Sequence, residues 1–304
     1  MKAALLPDRG VVKVIGDGAR AFLHGLVTAD LLKLKTGEAR YCALLTPQGK
    51  IIADFFVAEA PAKDGGGFFL DAPRARIAML VERLNLYKLR AKVVVEDLSE
   101  ILGVLAAWDS DAPPAPAAAP GDAIGLAFAD PRLPALGLRV MLPPHLAATA
   151  AAALGASLVD AGVYETLRIA LGIPRGGIDF AYGDAFPHEA DMDQLAGVDF
   201  TKGCYVGQEV VSRMEHRGTA RSRAVPLRFD GEPPQPGAAV VAGERQLGQL
   251  GSSAAGRAIA LMRLDRVADT LAQGGTMTAD GTPVHLVKPD WARFAFPGER
   301  KAAE

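Results

Sequence analysis

Cysteine is scarce in this chain. Cys42 and Cys204 are the two present in 304 residues, they stand far apart, and neither belongs to a C-x-x-C pair. That excludes a disulfide framework and a closed structural zinc site, and it suits a reducing compartment. An excess of charge is missing as well. Lys and Arg total 33 against 35 Asp and Glu, a formal charge of -2, so no global field draws the protein to nucleic acid or membrane, and any polyanion must be met by a local patch. No apolar run reaches the roughly 18 to 20 residues needed to span a bilayer; Ala117 to Ala119 and Ala147 to Ala153 are short. Met1 to Leu6 is interrupted by Pro7, Asp8 and Arg9 before a signal-peptide core forms, so the expected location is the cytoplasm. There is no fixed-period repeat and no heptad pattern.

What is present is apolar residue content of 50%, enough for sizeable cores and two or three domains. Val11 to Ile15 reads as a strand, Gly16 and Asp17 as a turn, and Ala19, Phe22, Leu23 and Leu26 as the apolar stripe of a helix. Tyr41 to Leu45 and Ile51 to Val57 read as a hairpin around Thr46-Pro47-Gln48-Gly49, with a further strand at Phe68 to Leu70. Pro73 suits the first turn of a helix whose apolar positions are Ile77, Leu80, Val81 and Leu84, and strand character resumes at Lys92 to Val95. The Pro/Ala-rich stretch 111–121 is expected to be an exposed loop or insertion. Helices are expected at Leu146 to Leu154 and around Val163, Leu167, Ala170 and Leu171, ending at Gly172 and Pro174. From Val225 short apolar runs alternate with Gly-rich turns, which predicts a small, mainly β C-terminal domain.

The chemistry concentrates in one loop. Lys202-Gly203-Cys204-Tyr205-Val206-Gly207-Gln208-Glu209 keeps a thiol between two glycines, which allow backbone geometries or close approaches that other residues resist. Lys202 brings positive charge that favours a thiolate, and Glu209 works against it. The alternative for any single cysteine is a small buried hydrophobe.

These eight residues resemble the signature of the YgfZ family, whose members include a mitochondrial iron-sulfur assembly factor. The resemblance extends to Leu167-Arg168-Ile169 with Gly172-Ile173-Pro174, to the Pro187 to Asp193 approach, to the spacing of Arg213, Arg217, Gly218 and Arg223, and to Gly16, Ala19, Phe22, Leu23, Leu26, Thr28 and Asp30 near the N-terminus. It implies an α+β, T-protein-like folate-binding body of intertwined subdomains over 1–222, with a small C-terminal β-barrel over 223–304. It also implies tetrahydrofolate or another reduced folate as cofactor, and iron-sulfur enzymes as clients, including radical enzymes that thiomethylate tRNA. Cys204 is then the functional thiol, and the folate-binding set expected around it is Asp54, Arg168, Glu189, Lys202, Tyr205, Gln208, Glu209, Arg213 and Arg223.

Two departures speak against aminomethyl transfer. The T-protein carries paired aspartates in a Gly-x-Ile-x-Asp-Asp segment, where this chain has Gly49-Lys50-Ile51-Ile52-Ala53-Asp54. The T-protein also has an Arg-x-Glu-x-Gly segment whose glutamate holds the pterin, and Ala170 stands at that position here. Asp54 itself, inside an apolar run, is either part of the folate cavity or a satisfied structural carboxylate. His188, Glu189, Asp191 and Asp193 are metal-capable but lack a helical His-x-x-x-His spacing, so a loop or helix start is favoured over a metal site. Arg213, His216, Arg217, Arg221 and Arg223 form a basic cluster suited to a folate glutamyl tail or a phosphate. No interleaved aromatics accompany it, so direct RNA binding is the weaker option. Among Phe180, Tyr182, Phe186 and Tyr205, Tyr205 is the one expected to stack on a pterin.

Three functions follow. The first is a folate-dependent accessory factor for iron-sulfur cluster assembly or repair working through Cys204. The second is a one-carbon transferase using tetrahydrofolate. The third is a non-catalytic scaffold for iron-sulfur enzymes, in which Cys204 is replaceable. A single cysteine supplies one of the four ligands of an ordinary cluster, so a bound cluster requires a partner, a dimer or external thiols.

Overall fold

A computed structural model describes residues 1–62, 65–109, 125–218 and 220–298, and the Pro/Ala-rich stretch 111–121 lies outside them. The chain divides into two compact units. The first comprises Met1–Tyr164 with Leu195–Gln208, the second Glu165–Gln194 with Glu209–Glu304.

The first unit carries two five-stranded sheets. One runs in the order Ala39–Leu45, Ile51–Glu59, Phe68–Pro73, Arg9–Ile15, Val94–Asp97, all of its pairings antiparallel. The expected hairpin is present: Cys42 opposes Phe55 and Ala43 opposes Asp54. One face of this sheet holds Val12, Cys42, Phe55, Val57 and Leu70 in a core closed by the helix Ile77–Tyr87 through Ile77, Leu80 and Leu84. The i, i+3, i+7 spacing of those three residues is what brings them to one helix face. Pro73 does not open that helix. It ends the strand Phe68–Pro73, and a turn of 3-10 helix at Arg74–Arg76 precedes Ile77, consistent with a fixed φ that serves an extended chain as well as a first helical turn.

The second sheet runs Ser157–Leu158, Lys2–Leu6, Gly103–Trp108, Leu138–Leu142, Leu126–Ala129. Lys2–Leu6 is an inner strand, antiparallel to Gly103–Trp108 and parallel to Ser157–Leu158. Its apolar residues are those of a strand that pairs on both edges. The helix Ala147–Ala153 covers this sheet with Ala147, Ala150 and Ala151.

The same unit also buries charge. Asp71, with no exposure, accepts from Arg9 Nε and Arg139 Nε at 2.6 Å each. Arg139 also reaches Asp130 and the Tyr164 hydroxyl at 3.4 Å, and Asp130 takes two bonds from the Arg132 side chain at 3.0 and 2.7 Å. Arg132 and Arg139 stack on the Phe56 ring at 4.8 and 4.4 Å.

The second unit is built on a closed barrel in the order Ser222–Phe229, Arg257–Arg263, Arg245–Ala254, Ala239–Ala242, Met277–Ala279, Thr282–Leu286. Val225, Leu227 and Phe229 alternate into its interior with Val240, Leu247, Ala260 and Met262, and the helix Leu264–Ala272 adds Val267. The outer face of the first barrel strand is covered too. Ala224 packs against Ile169 and Ile259, and Gly172, at φ +73, lies against Pro226. Arg168 secures this layer, bonding both oxygens of Glu165, Asp179 Oδ2 at 2.9 Å, Ser252 Oγ at 2.6 Å and the Ile173 carbonyl. Trp291 Nε1 donates to Leu171 O at 2.9 Å.

Asp71→Asn leaves two buried guanidinium groups short of their carboxylate. Breaking a buried ion pair from one side costs about 3–5 kcal/mol, so this variant is expected to lower the urea midpoint markedly, and a midpoint unchanged from wild type overturns the assigned role.

Candidate functional site

The loop that carries Cys204 is held by its neighbours at both ends. At Asp199 the side-chain Oδ1 accepts from Thr201 N at 2.8 Å, Thr201 Oγ1 at 2.7 Å and Lys202 N at 3.1 Å, closing a tight turn. Asp199 N donates to Thr28 O at 2.9 Å, and Thr28 Oγ1 donates to Gly197 O at 2.5 Å while accepting from Ala43 N at 2.9 Å. Thr28 therefore fastens residues 197–199 to the strand Ala39–Leu45, which explains why a small hydroxyl residue stands there.

Lys202 turns inward. It is buried, and Nζ donates to the carbonyls of His24 and Val27 at 2.6 Å each, with the Tyr205 ring 4.9 Å away beneath the ammonium. Three donors thus meet two carbonyls and a π face. Burial pulls its pKa down to about 8, opposed by Cys42, Asp30 and Asp199. The charge expected beside the exposed thiol is spent inside the loop's footing.

Gly207 supplies the other fastening. Its φ is +83, and a Cβ there would stand 2.6 Å from Thr46 O and 3.0 Å from the Gly49 Cα, so the loop lies directly on the hairpin turn. Gly203 has no such constraint; a Cβ there would meet only His24 Nε2, at 4.0 Å. Val206 packs against the core under the first sheet.

Between these fastenings Cys204 is exposed, whereas Cys42 is buried. Cys42 Sγ lies 3.6 Å from Phe55 O, and burial raises its pKa strongly. The Tyr205 ring is buried and its hydroxyl has no hydrogen-bond partner among the described residues; burial pushes that hydroxyl up to about 12. His24, beside the loop, has its pKa lowered by burial and then by Lys202, against the pull of Asp30 and Asp199. Sequence reasoning passed over His24 because it ends the helix Ala19–His24 outside the apolar stripe and belongs to no local motif, and only the loop packed against it marks it out.

The other expected residues are dispersed. Asp54 is buried and accepts from the Tyr41 hydroxyl at 2.9 Å, and Gln208 opens the helix Gln208–Arg217, its N–H donating to Tyr205 O at 3.3 Å. In the second unit Glu209 and Arg213 form an exposed i, i+4 ion pair at 2.5 Å, worth a few tenths of a kcal/mol at most. Arg168 belongs to the layer on the barrel described above. Glu189 accepts from Phe186 N at 2.9 Å, and its carbonyl accepts from Ala224 N at 2.8 Å. Arg223 is buried, donating to Asp191, to both oxygens of Asp193 and to His188 O at 2.8–2.9 Å. The basic cluster is thereby divided: Arg223 is an internal ion pair while Arg213 faces solvent. Burial raises the Asp191 carboxyl well above the usual range despite Arg223, and its Oδ2 has no partner among the described residues. Donor atoms of His188, Asp193 and Glu215 lie within 4.8 Å of one another, but both Asp193 oxygens already take bonds from Arg223.

The architecture is that of an aminomethyltransferase. The crystal structure of glycine cleavage system aminomethyltransferase T from Bartonella henselae aligns at TM-score 0.70 over 97% of this chain and 87% of that one, with 16% sequence identity, so what is shared is the fold. Residues 221–294 match the family described as CAF17, C-terminal beta-barrel domain. Over a longer span the chain is similar to proteins named iron-sulfur cluster assembly factor IBA57 homolog, mitochondrial. The one from Mycosarcoma maydis is 38% identical over 244 residues, 77% of this chain and 59% of the relative. The one from Pyricularia oryzae is 36% identical over 226 residues, 73% of this chain and 56% of the relative. The chain thus spans somewhat under three-fifths to three-fifths of the length of the curated relatives it matches. No helix among the described residues is long and apolar enough to cross a membrane.

Gly207→Ala forces a left-handed backbone on alanine and a methyl into the Thr46 carbonyl, at an expected cost of about 2 kcal/mol or more. Gly203→Ala is expected to stay within about 0.5 kcal/mol of wild type. Urea unfolding of the two variants side by side checks the pair; equal midpoints overturn the assignment of Gly207 as the fastening point.

Proposed function

We propose that this chain is an accessory factor for iron-sulfur cluster assembly or repair that binds a reduced folate and works through Cys204. The observation that carries the reading is the contrast between two thiols: Cys42 is sealed in the core, and Cys204 is exposed on a loop held by Lys202 and Gly207. A structural cysteine needs burial; a thiol kept in solvent on a braced loop is suited to meeting an outside reactant. The names of the relatives, iron-sulfur cluster assembly factors, support the same reading. So does the resemblance of residues 202–209 to the YgfZ signature, which further points to tRNA-thiomethylating radical enzymes among the clients. The compartment is proposed to be reducing and cytoplasmic, although the relatives are named as mitochondrial.

The folate proposal rests on the aminomethyltransferase fold. The residues proposed to take part are Asp54, Lys202, Tyr205 and Gln208 in the first unit and Arg168, Glu189, Glu209, Arg213 and Arg223 in the second. Arg213 is the exposed arginine of this set, and it suits a glutamyl carboxylate. Lys202 and Arg223 act by holding loops, since their charged ends are engaged internally. Aminomethyl transfer is the weaker reading, because Ala53 and Ala170 leave it without the acidic groups such chemistry uses.

Calorimetric titration with tetrahydrofolate is expected to show saturable binding; no heat at millimolar ligand removes the folate claim and leaves the thiol claim standing. For the thiol, Cys204→Ser is expected to melt as wild type does, within about 0.5 kcal/mol, and to fail to restore iron-sulfur enzyme activity in cells lacking the gene. Cys42→Ala is the matched control, because serine in that buried site would leave a hydroxyl to satisfy at about 1–3 kcal/mol. If Cys204→Ser rescues as well as wild type, the scaffold reading replaces this one.

A further inference from the structure

We propose that His188, Asp193 and Glu215 form a binding site for one divalent first-row transition ion, with Arg223, Gln194 and Asp191 as the hydrogen-bonding shell around it. The site lies wholly within the second unit and stands apart from the thiol and folate readings.

Three donors from two segments converge. His188 and Asp193 belong to the loop 186–193 and Glu215 to the helix Gln208–Arg217, and one donor atom from each lies within 4.8 Å of the other two. His188 and Glu215 are 27 positions apart, so no local spacing announces them. His188 Nε2 and Glu215 Oε2 stand 3.0 Å from each other. Ligands at tetrahedral angles around a zinc-sized ion are about 3.3 Å apart, so this pair is already near ligand spacing. The Glu215 side chain is 44% exposed, which gives the ion a way in and lets that carboxylate adjust. The proton held between the two atoms is what a cation displaces, and the imidazole then carries its N–H at Nδ1.

Asp193 keeps a lone pair for the ion. A carboxylate offers about four acceptor positions. Oδ2 takes bonds from Arg223 Nη2 at 2.8 Å and Gln194 Nε2 at 2.6 Å, whereas Oδ1 takes one, from Arg223 Nη1 at 2.9 Å. Such bonds orient a carboxylate in the way that outer-shell partners orient metal ligands. The loop is fixed as well: Met192 N donates to Pro187 O at 2.9 Å, Arg223 Nη1 to His188 O at 2.9 Å, and Ala224 N to Glu189 O at 2.8 Å. The strand Ser222–Phe229 therefore holds His188 and Asp193 in place without an ion.

Asp191 is an independent pointer to a ligand. It is fully buried, its Oδ1 shares Arg223 Nη1 with Asp193 Oδ1 at 2.9 Å each, and its Oδ2 has no hydrogen-bond partner among the described residues. A buried polar atom in that state marks a water or ion that belongs beside it, and a water carried by an ion on Asp193 is the donor this oxygen lacks. Three carboxyl groups meet one guanidinium here. With a neutral imidazole and Asp191 in either protonation state, the contacting set is net negative, and a dication balances it.

The donor set also selects the ion. Mg(II) and Ca(II) take oxygen ligands, whereas one imidazole with two carboxylates suits Mn(II), Fe(II) or Zn(II). The bound ion joins the loop 186–193 to the helix Gln208–Arg217 and leaves its remaining positions to water.

Mn(II) alone, added to the full chain, tests the site, because the resonance of the free ion fades on binding and thiols are poor ligands for it. Wild type is expected to bind one Mn(II) per chain saturably. Glu215→Gln, at a half-exposed position and still able to bond His188, is expected to stay folded and to lose at least the tenfold in affinity that removal of an outer-shell partner alone costs. Glu244→Gln, in the exposed turn between the strands Ala239–Ala242 and Arg245–Ala254, is expected to bind as wild type does. On Mn(II)-loaded wild type, needing no variant, the electron spin echo is expected to show nitrogen modulation that changes when histidine is 15N-labelled. The proposal is overturned if Glu215→Gln binds Mn(II) as tightly as wild type, if binding is weak, multiple and without nitrogen modulation, or if no Mn(II) binds at millimolar concentration.

Discussion

The buried ammonium of Lys202 sets the position of everything at the thiol loop. It ties residues 202–205 to the carbonyls of His24 and Val27, more than 170 positions earlier in the chain. An amine in that setting is costly to desolvate, and its pKa falls to about 8 as a result. The cost is offset because each donor finds an acceptor and because the Tyr205 ring gives the charge a favourable face. With Lys202 and Tyr205 both turned inward, Cys204 between them is left exposed.

The buried ion pairs described above follow the same rule of internal satisfaction. Asp71 with Arg9 and Arg139, Arg168 with Glu165 and Asp179, and Arg223 with Asp191 and Asp193 are each paired within one unit. Such pairs hold segments distant in sequence in register, and removing one partner is far more damaging than their net contribution suggests. Asp191 is the exception, a carboxyl whose second oxygen is left without a partner among the described residues. Its neighbour Arg223 is shared with Asp193, and the shared charge does not overcome burial.

Much of the local structure was legible from periodicity. The helix Ile77–Tyr87 carries the spacing that a single buried face imposes, while the hairpin at 39–59 and the barrel strand Ser222–Phe229, buried at nearly every position, were legible as apolar runs bounded by turn residues. Lys2–Leu6, Gly103–Trp108 and Leu138–Leu142 were not read as strands, because a short apolar run by itself does not tell a buried strand from a segment of buried helix. The amphipathic helix Leu264–Ala272 was hidden among the short β runs on either side of it. At the site, the Lys-Gly-Cys-Tyr segment was visible at once, whereas His24 carried no local signal, because the contact that matters, its carbonyl accepting from Lys202 Nζ, spans 178 positions of the chain.

The sequence by itself determined the candidate thiol and its frame: a cysteine between two glycines, outside any C-x-x-C pair. It also determined that a β-rich domain closes the chain, since alternation and turn chemistry are local properties. Only the tertiary structure decided which charges are available. Lys202, Arg168 and Arg223 look alike on paper as cationic ligand-binding groups, and all three are engaged inside the protein by acceptors brought from elsewhere in the chain. Whether a charged side chain faces a ligand or a carbonyl depends on what long-range folding places beside it, and burial is a property of the packed chain that no stretch of sequence contains.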